Sequence, residues 1–404
     1  MAQKQIPLSE VPKELGVLPE TMKAWVIREE RHGEPTKAFQ VEDMPIPEIG
    51  ATEVLVLVMA AGVNYNNVWA ALGRPVKISQ LHRDVDHHIG GSDASGIVWK
   101  VGTEVRRWKL GDEVVIHCNQ SCGQCPECNG LDPLACSQQK IWGYETSWGS
   151  FAQFTKVQSQ QLLPKPKHLT WEEAASYALV YLTAYRMLVD KCDTKAGDNV
   201  LVWGAAGGLG CFAVQLCRLM GANAIGVVSS DEKKKLVMDL GAVGAVNRKE
   251  FDFARRADET PEQEKKRIAE TRRLGKVLRE IWKGGDADIV FEHVGQETFP
   301  ASVLLAKTFG KIVICGATSG FNLDFDVRYL WMRQKQILGS HFCNAYEANR
   351  ANQLIVEKKI NPVLGKVFPF EGCAEAHQVM YENKHSGNMV VLVQAPSAGA
   401  GKTA

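Results

Sequence analysis

The spacing of hydrophobic and polar positions changes character along this chain. Before residue 160 the apolar runs are short, at residues 23–28, 53–61, 94–101, 113–117 and 151–157, and Gly and Pro punctuate them. Several short strands in succession predict a self-contained, β-barrel-like domain. From residue 198 the pattern becomes an apolar run of strand length, a glycine-rich turn, and a helical repeat over 212–220. A second strand follows at 224–228, then a helix ending near Gly241, and strands at 288–291 and 311–315. Strands alternating with helices predict an α/β domain with a doubly wound parallel sheet. The charged span 251–276 reads as an inserted surface helix with a solvated face. After residue 344 the pattern gives a helix reaching residue 380, then a strand at 388–393 that returns to the barrel. We therefore place the first domain at residues 1–167 with 344–404 and the nucleotide-binding domain at 168–343. The small, polar tail from Ala395 has the composition of a disordered end.

The glycine turn carries the first chemistry. Gly204, Gly207, Gly208 and Gly210 lie between a strand and a helix, where backbone N–H groups at the helix start can hold a dinucleotide pyrophosphate. NAD sites usually place a carboxylate at the tip of the next strand, on the ribose 2′-hydroxyl. Here the tip reads Ser229-Ser230, with Lys233 and Lys234 beyond it. Without a carboxylate to repel it, a 2′-phosphate is accommodated, so the expected cofactor is NADPH, with Lys233 meeting the phosphate.

Composition narrows the partners. A formal charge of +1 over 404 residues argues against nucleic acid or a membrane surface held by bulk electrostatics. The first residues lack the apolar core of a signal peptide, and no apolar run reaches spanning length, so a cytoplasmic protein is expected. Eleven cysteines in such a chain point to metal ligation and free core thiols. Cys122, Cys125 and Cys128 are spaced two residues apart, and Cys136 follows. One loop with four thiolates can close a tetrahedral Zn²⁺ shell and leave no open position, so the expected zinc is structural.

The cadence Val101-Gly102-Thr103-Glu104-Val105 followed by Lys109-Leu110-Gly111-Asp112-Glu113-Val114-Val115 resembles GroES-like barrels. With the glycine turn after it, the chain resembles the medium-chain dehydrogenase/reductase superfamily, which implies a GroES-like domain followed by a Rossmann domain. The four cysteines resemble the structural zinc lobe of its alcohol dehydrogenases. The catalytic zinc ligands of those enzymes have no counterpart: amides occupy the Asn64-Tyr65-Asn66-Asn67 stretch, and Ser92 stands where their His would be. Neither group is a good zinc ligand.

A narrower resemblance rests on longer blocks. Asn64-Tyr65-Asn66-Asn67-Val68-Trp69, Gly90-Gly91-Ser92-Asp93-Ala94-Ser95-Gly96, Ile141-Trp142-Gly143-Tyr144-Glu145-Thr146, Arg328-Tyr329-Leu330-Trp331-Met332-Arg333 and Gly339-Ser340-His341-Phe342 are similar to crotonyl-CoA carboxylase/reductases. The resemblance implies reductive carboxylation of an α,β-unsaturated acyl-CoA, crotonyl-CoA and CO2 giving ethylmalonyl-CoA. It implies that Asn66, Tyr144 (through its backbone), Glu145 and His341 hold CO2, and that the chain forms a homo-oligomer, a tetramer in the family. Arg328, Tyr329 and Arg333 are candidates for the CoA phosphates, with a subunit-interface cluster as the alternative. Two other functions compete: an enoyl-CoA reductase that protonates its enolate, and a zeta-crystallin-like NADPH-binding protein. Two departures stand out. Family members replace most of the zinc-lobe cysteines, and Val294 occupies a position where Pro is usual.

Overall fold

The computed structural model describes residues 5–81, 85–256 and 258–402. Its chain divides into two units, Met1–Leu179 with Cys343–Ala404, and Val180–Phe342. The boundary therefore falls after Leu179 rather than at 168. The physical reason is the short helix Trp171–Ala175, which starts on a Thr170/Glu173 capping box and packs on strands of the first unit. Its fit is tight: a Cβ on Gly62 would lie 2.4 Å from the Ala175 carbonyl oxygen.

The first unit is built on the strand Glu53–Val63, which is apolar along most of its length, with Val at 54, 56, 58 and 63. Side chains alternate across a strand. Val54, Val56, Val58, Ala61 and Val63 enter one core, whereas Leu55, Leu57, Met59 and Ala60 enter another. Burial on both faces explains the unbroken apolar run. The strand pairs antiparallel with Ala94–Val101, Phe154–Gln158 and Asn388–Leu392. The C-terminal strand thus returns to this unit as expected. The 364–368 region differs from the expected single helix: Leu364–Phe368 is a strand parallel to Asn388–Leu392, between helices Ala345–Val356 and Cys373–Tyr381. A smaller sheet joins Gln40–Pro45, Thr21–Ile27 and His88–Ile89.

The second unit holds six parallel strands in the order Gly244–Asn247, Asn223–Val228, Asn199–Val202, Ala287–Glu292, Ala306–Ile314, Gln336–Gly339. Numbered along the chain this is 3-2-1-4-5-6, the doubly wound order with its switch point beside the first strand. The inserted helix runs Pro261–Ile281 and is not wholly solvated. Arg267, Thr271, Leu274, Gly275 and Leu278 recur at helical spacing on a buried stripe, and Phe251 and Phe253 ahead of it are buried too. Among the described residues no helix is long and apolar enough to cross a membrane.

The tail is ordered as far as it is described, against the compositional expectation. Gly399 N–H donates to the Glu172 carboxylate at 2.6 Å, the Ala400 carbonyl accepts from Trp171 N–H at 2.9 Å, and the Gly401 carbonyl accepts from the buried Lys165 ammonium at 2.6 Å. These bonds fasten the tail over the Trp171–Ala175 helix. A chain ending at Ser397 should lose about 1–3 kcal/mol of stability, since each removed bond leaves a buried partner to be rehydrated. An unchanged urea midpoint would show that the tail is only draped there.

Candidate functional site

The apolar strand Asn199–Val202 delivers the glycine turn to the switch point of the sheet. Gly204 adopts φ 57°, a left-handed backbone that disfavours a side chain, and a Cβ there would sit 2.9 Å from the His293 ring. At Gly210 a Cβ would meet the Gly204 carbonyl at 2.4 Å. Gly207 caps and Gly208 opens the 13-residue helix Gly208–Met220. The first and last glycines let the backbone double back, so the helix start, with its first N–H groups lacking intrahelical partners, is open to a pyrophosphate.

The next strand ends at Val228, followed by Ser229 and Ser230. Nearby carboxylates are engaged: Asp231 pairs with Lys234 at 2.9 Å, and Glu232 bonds Ser230. Lys234 also pairs with Glu250 at 2.9 Å, and Lys233 beside it is half-buried. Burial lowers the Lys233 pKa first, and the Arg248 and Lys249 cations lower it further. Three cations drawn together suit a dianionic phosphate. The sequence reading missed Arg248 and Lys249. Their signal was available, a basic pair directly after the third strand, Gly244–Asn247.

The four cysteines converge in the first unit. Their sulfurs all lie within 4.8 Å of one another, with Cys122 to Cys128 at 3.9 Å and Cys125 to Cys128 at 3.5 Å. Zinc–sulfur bonds of about 2.3 Å set tetrahedral sulfur separations near 3.8 Å, so the cluster has the dimensions of a zinc shell. Backbone N–H groups of Gln124 and Cys125 point at the Cys122 sulfur, both at 3.4 Å, and lower its thiol to about 6. Gln138 N–H points at the Cys136 sulfur, also at 3.4 Å. N–H donors aimed at sulfur favour thiolate, the form that binds metal. Among the described residues this is the one group of His, Cys, Asp or Glu side chains close enough to hold an ion.

Where alcohol dehydrogenases keep their catalytic metal, this chain builds an amide relay. Gly91 N–H donates to Asn67 Oδ1 at 2.9 Å, Asn67 Nδ2 to Asn66 Oδ1 at 2.9 Å, and Asn66 Nδ2 to Ser92 Oγ at 2.8 Å. The relay fixes the plane of the Asn66 amide. Its second N–H and second lone pair remain as inventory for a small ligand. Glu145 Oε2 accepts from Ile141 N–H at 2.8 Å, which ties that carboxylate to its own turn. The Tyr144 backbone N–H donates to the Ile141 carbonyl at 3.2 Å, an acceptor shared with Glu145 N–H at 2.8 Å. It is therefore engaged within the turn rather than presented for a ligand. Burial, then the Glu145 charge, pushes the Tyr144 phenol up to about 12, so it stays protonated.

His341 belongs to the second unit, at the end of the last strand, Gln336–Gly339. It keeps an exposed face, yet the surrounding chain and then the Arg186 charge hold its pKa below the ordinary value, which favours neutral imidazole near pH 7. The CoA candidates do not form one cluster. Arg328 forks onto Asp326 at 2.7 and 2.9 Å, Tyr329 packs against the core of its unit, and Arg333 reaches Thr308 at 3.5 Å. Asp93, beside Ser92, was overlooked. It is 1% exposed, accepts from Leu179 N–H at 3.2 Å and Asn64 Nδ2 at 3.4 Å, and burial pushes it up to about 8.

Comparison with known proteins agrees with this architecture. An alcohol dehydrogenase GroES-like domain model matches residues 50–167, and a zinc-binding dehydrogenase model matches 208–357. The second match does not include the four cysteines. Over 397 residues the chain is 55% identical to a crotonyl-CoA carboxylase/reductase of Cereibacter sphaeroides, covering 97% of this chain and 92% of that one. The chain belongs to the crotonyl-CoA carboxylase/reductase family. The first unit is its GroES-like domain and the second its Rossmann domain. A crotonyl-CoA reductase of Streptomyces avermitilis is 43% identical over 385 residues, 92% of this chain and 85% of that one. The solved 2-octenoyl-CoA carboxylase reductase CinF, in complex with NADP and 2-octenoyl-CoA, is 38% identical with a TM-score of 0.91, covering 96% of this chain and 91% of that one.

The buried Asp93 gives a pH signature. Its folded pKa of about 8 lies above the ordinary 3.8, so between these values the unfolded chain ionises while the folded chain keeps its proton. The unfolded state then binds fewer protons, and stability falls as pH rises through that window. Asp93→Asn, which keeps the acceptor for Leu179, should make stability fall less steeply from about pH 4 to about pH 8. Identical slopes for the two proteins in urea titrations would show that Asp93 is ionised inside the fold.

Proposed function

We propose that this protein catalyses NADPH-dependent reductive carboxylation of an α,β-unsaturated acyl-CoA, with crotonyl-CoA and CO2 giving ethylmalonyl-CoA. The observation that carries this reading is the amide relay through Asn67, Asn66 and Ser92 at the place of a catalytic metal, in a chain of this family. NADPH, when bound at the glycine turn, supplies a hydride to Cβ of the enoyl thioester. Lys233, Arg248 and Lys249 favour its 2′-phosphate over the hydroxyl of NADH. As Cβ receives the hydride, the electron pair of the C=C bond moves toward Cα and the thioester oxygen. The enolate then has two electrophiles to choose from, a proton and CO2.

CO2 is neutral and linear, so directed hydrogen bonds must hold it. The remaining N–H of Asn66 suits one oxygen, and His341, neutral near pH 7 and able to donate from a ring nitrogen, suits the growing carboxylate. Glu145 fixes the turn that carries Tyr144. We assign Tyr144 to the same set through that turn, its N–H reaching CO2 only if it leaves the long bond to Ile141. Water must be kept from Cα, because a proton arriving first yields the plain saturated thioester. The Asp326 partner of Arg328 weakens its case as a CoA phosphate contact, and Arg333 keeps the better claim.

The metal is Zn²⁺ on Cys122, Cys125, Cys128 and Cys136, in a structural role. A homo-oligomer is supported by the edge strand Gln336–Gly339, beside which Phe309, Trp331, Met332 and Ile337 stay exposed. A cytoplasmic location is consistent with eleven cysteines that form no disulfide among the described residues.

Two experiments test these assignments. Removing one CO2 contact worth about 2 kcal/mol should shift the partition between carboxylation and protonation roughly 30-fold. His341→Asn and Asn66→Leu should therefore still oxidise NADPH with crotonyl-CoA and release a larger share of butyryl-CoA, read with labelled bicarbonate and mass spectrometry. Unmutated protein that gives only butyryl-CoA at saturating CO2 would replace this reading with a plain reductase. For the metal, protein prepared without chelator should carry about one zinc per chain. Cys125→Ser should lower the melting temperature more than it alters the product ratio, and zinc-free wild-type protein would refute the site.

A further inference from the structure

Glu292 ends the fourth strand of the Rossmann sheet with a fully buried side chain. Its Oε1 accepts the backbone N–H groups of His293, Val294 and Gly295 at 2.9, 2.7 and 3.2 Å. The Thr298 hydroxyl lies 3.0 Å from Oε1 and 2.9 Å from Oε2, and the Ser302 hydroxyl donates to Oε2 at 2.6 Å. Three successive N–H groups bent around one oxygen form a nest of the kind that binds anions, here filled by the chain's own carboxylate. With five donors on it and no exposed surface, Glu292 offers nothing to a ligand directly.

Its partners reach both neighbouring loops. Ser302 Oγ accepts from the Trp203 indole N–H at 2.8 Å. His293 Nε2 lies 3.0 Å from the Trp203 carbonyl, so that nitrogen carries the proton and donates. Trp203 immediately precedes Gly204, whose missing Cβ leaves room for the His293 ring. On the other side the Val294 carbonyl accepts both the N–H and the hydroxyl of Ser319 at 2.8 Å, in the loop after the fifth strand. The loops after strands one, four and five are thereby joined through one carboxylate. Those loops surround the crevice in which a doubly wound sheet binds a dinucleotide.

We propose that Glu292 is a positioning residue for NADPH, setting the glycine turn and the 293–298 loop at the spacing the bound dinucleotide needs. The inference rests on the cofactor reading above and is independent of carboxylation. In Glu292→Gln the side-chain carbonyl can still take the three N–H groups, while the amide faces hydroxyls that can rotate to accept. In Glu292→Ala the nest is empty and its donors are buried without partners.

NADPH affinity is read by fluorescence titration without acyl-CoA. Glu292→Ala should weaken it roughly tenfold or more, and Glu292→Gln should recover most of that loss. Ser302→Ala, which cuts the link to Trp203, should weaken it about threefold and raise KM for NADPH with little change in kcat. If Glu292→Ala does not fold, the Gln and Ser302 variants decide. Variants that melt earlier than wild type but bind NADPH equally well would overturn the proposal and leave Glu292 a purely structural residue. Wild-type protein that binds no NADPH would overturn the cofactor reading with it, whereas absence of carboxylation would leave this test intact.

Discussion

The first unit depends on one constraint, that the strand Glu53–Val63 must be buried on both of its faces. A strand in that position accepts few polar side chains, so sequence freedom returns only where it ends. It ends at Val63, and within the next four residues the chain has placed Asn64 beside Asp93, Asn66 beside Ser92 and Asn67 beside Gly91. The partner strand Ala94–Val101 starts just after Asp93 and pairs with the same spine. Both halves of the polar relay are thus the first groups beyond a paired, immobile β-ladder. Displacing either would require breaking the core, which is why two short loops can hold an amide plane fixed.

The contrast between the two polar sites of that unit follows from what each must hold. Four thiolates repel one another and are stable together only around a cation, so four sulfurs brought within 4.8 Å of one another in the 122–136 loop suit a metal shell that would have no position left for chemistry. The amide relay carries no net charge. A neutral electrophile gains little from a strong Lewis acid that water and thioester oxygens would occupy first, and more from fixed dipoles. Next to that relay burial pushes Asp93 up to about 8, which favours its protonated, uncharged form near pH 7. Ser92 and the amides of the 64–67 stretch, where the resemblance to alcohol dehydrogenases leads one to expect zinc ligands, offer dipoles in place of a cation.

What the sequence disclosed was what spacing encodes. The glycine turn, the alternation of strands and helices and the four-cysteine loop each depend on neighbours within a few residues, and each appears in the structure where its spacing put it. Longer-range organisation stayed hidden. Arg248 and Lys249 drew no notice along the chain, and they gain meaning only when the parallel sheet sets the strand before them beside the one that ends at Val228. The strand Leu364–Phe368 has too little apolar periodicity to declare itself, with only Phe368 buried, and is held by pairing with Asn388–Leu392. The tail looks disordered by composition because small residues carry no pattern. Its order comes from backbone groups that bond Trp171, Glu172 and Lys165. The engaged N–H of Tyr144 lies equally beyond sequence reading, since any residue type can close that turn.

Val294 shows how a single departure changes meaning once the partners are known. Read along the chain, a valine where the family resemblance leads one to expect proline concerns only the stiffness of a loop. In the fold its N–H makes one of the shortest bonds to Glu292, at 2.7 Å. A proline has no N–H, so a chain with proline there must hold the same carboxylate with one backbone donor fewer and rely on the ring to restrict the loop. The two solutions fix the same turn by different means: proline by limiting the unfolded chain, valine by adding a charge-assisted bond in the folded one. The second is the more sensitive to whatever perturbs the carboxylate, because loop geometry and charge are then a single interaction. In this protein the shape of the 293–298 loop is therefore tied to Glu292 and, through Ser302 and Trp203, to the glycine turn.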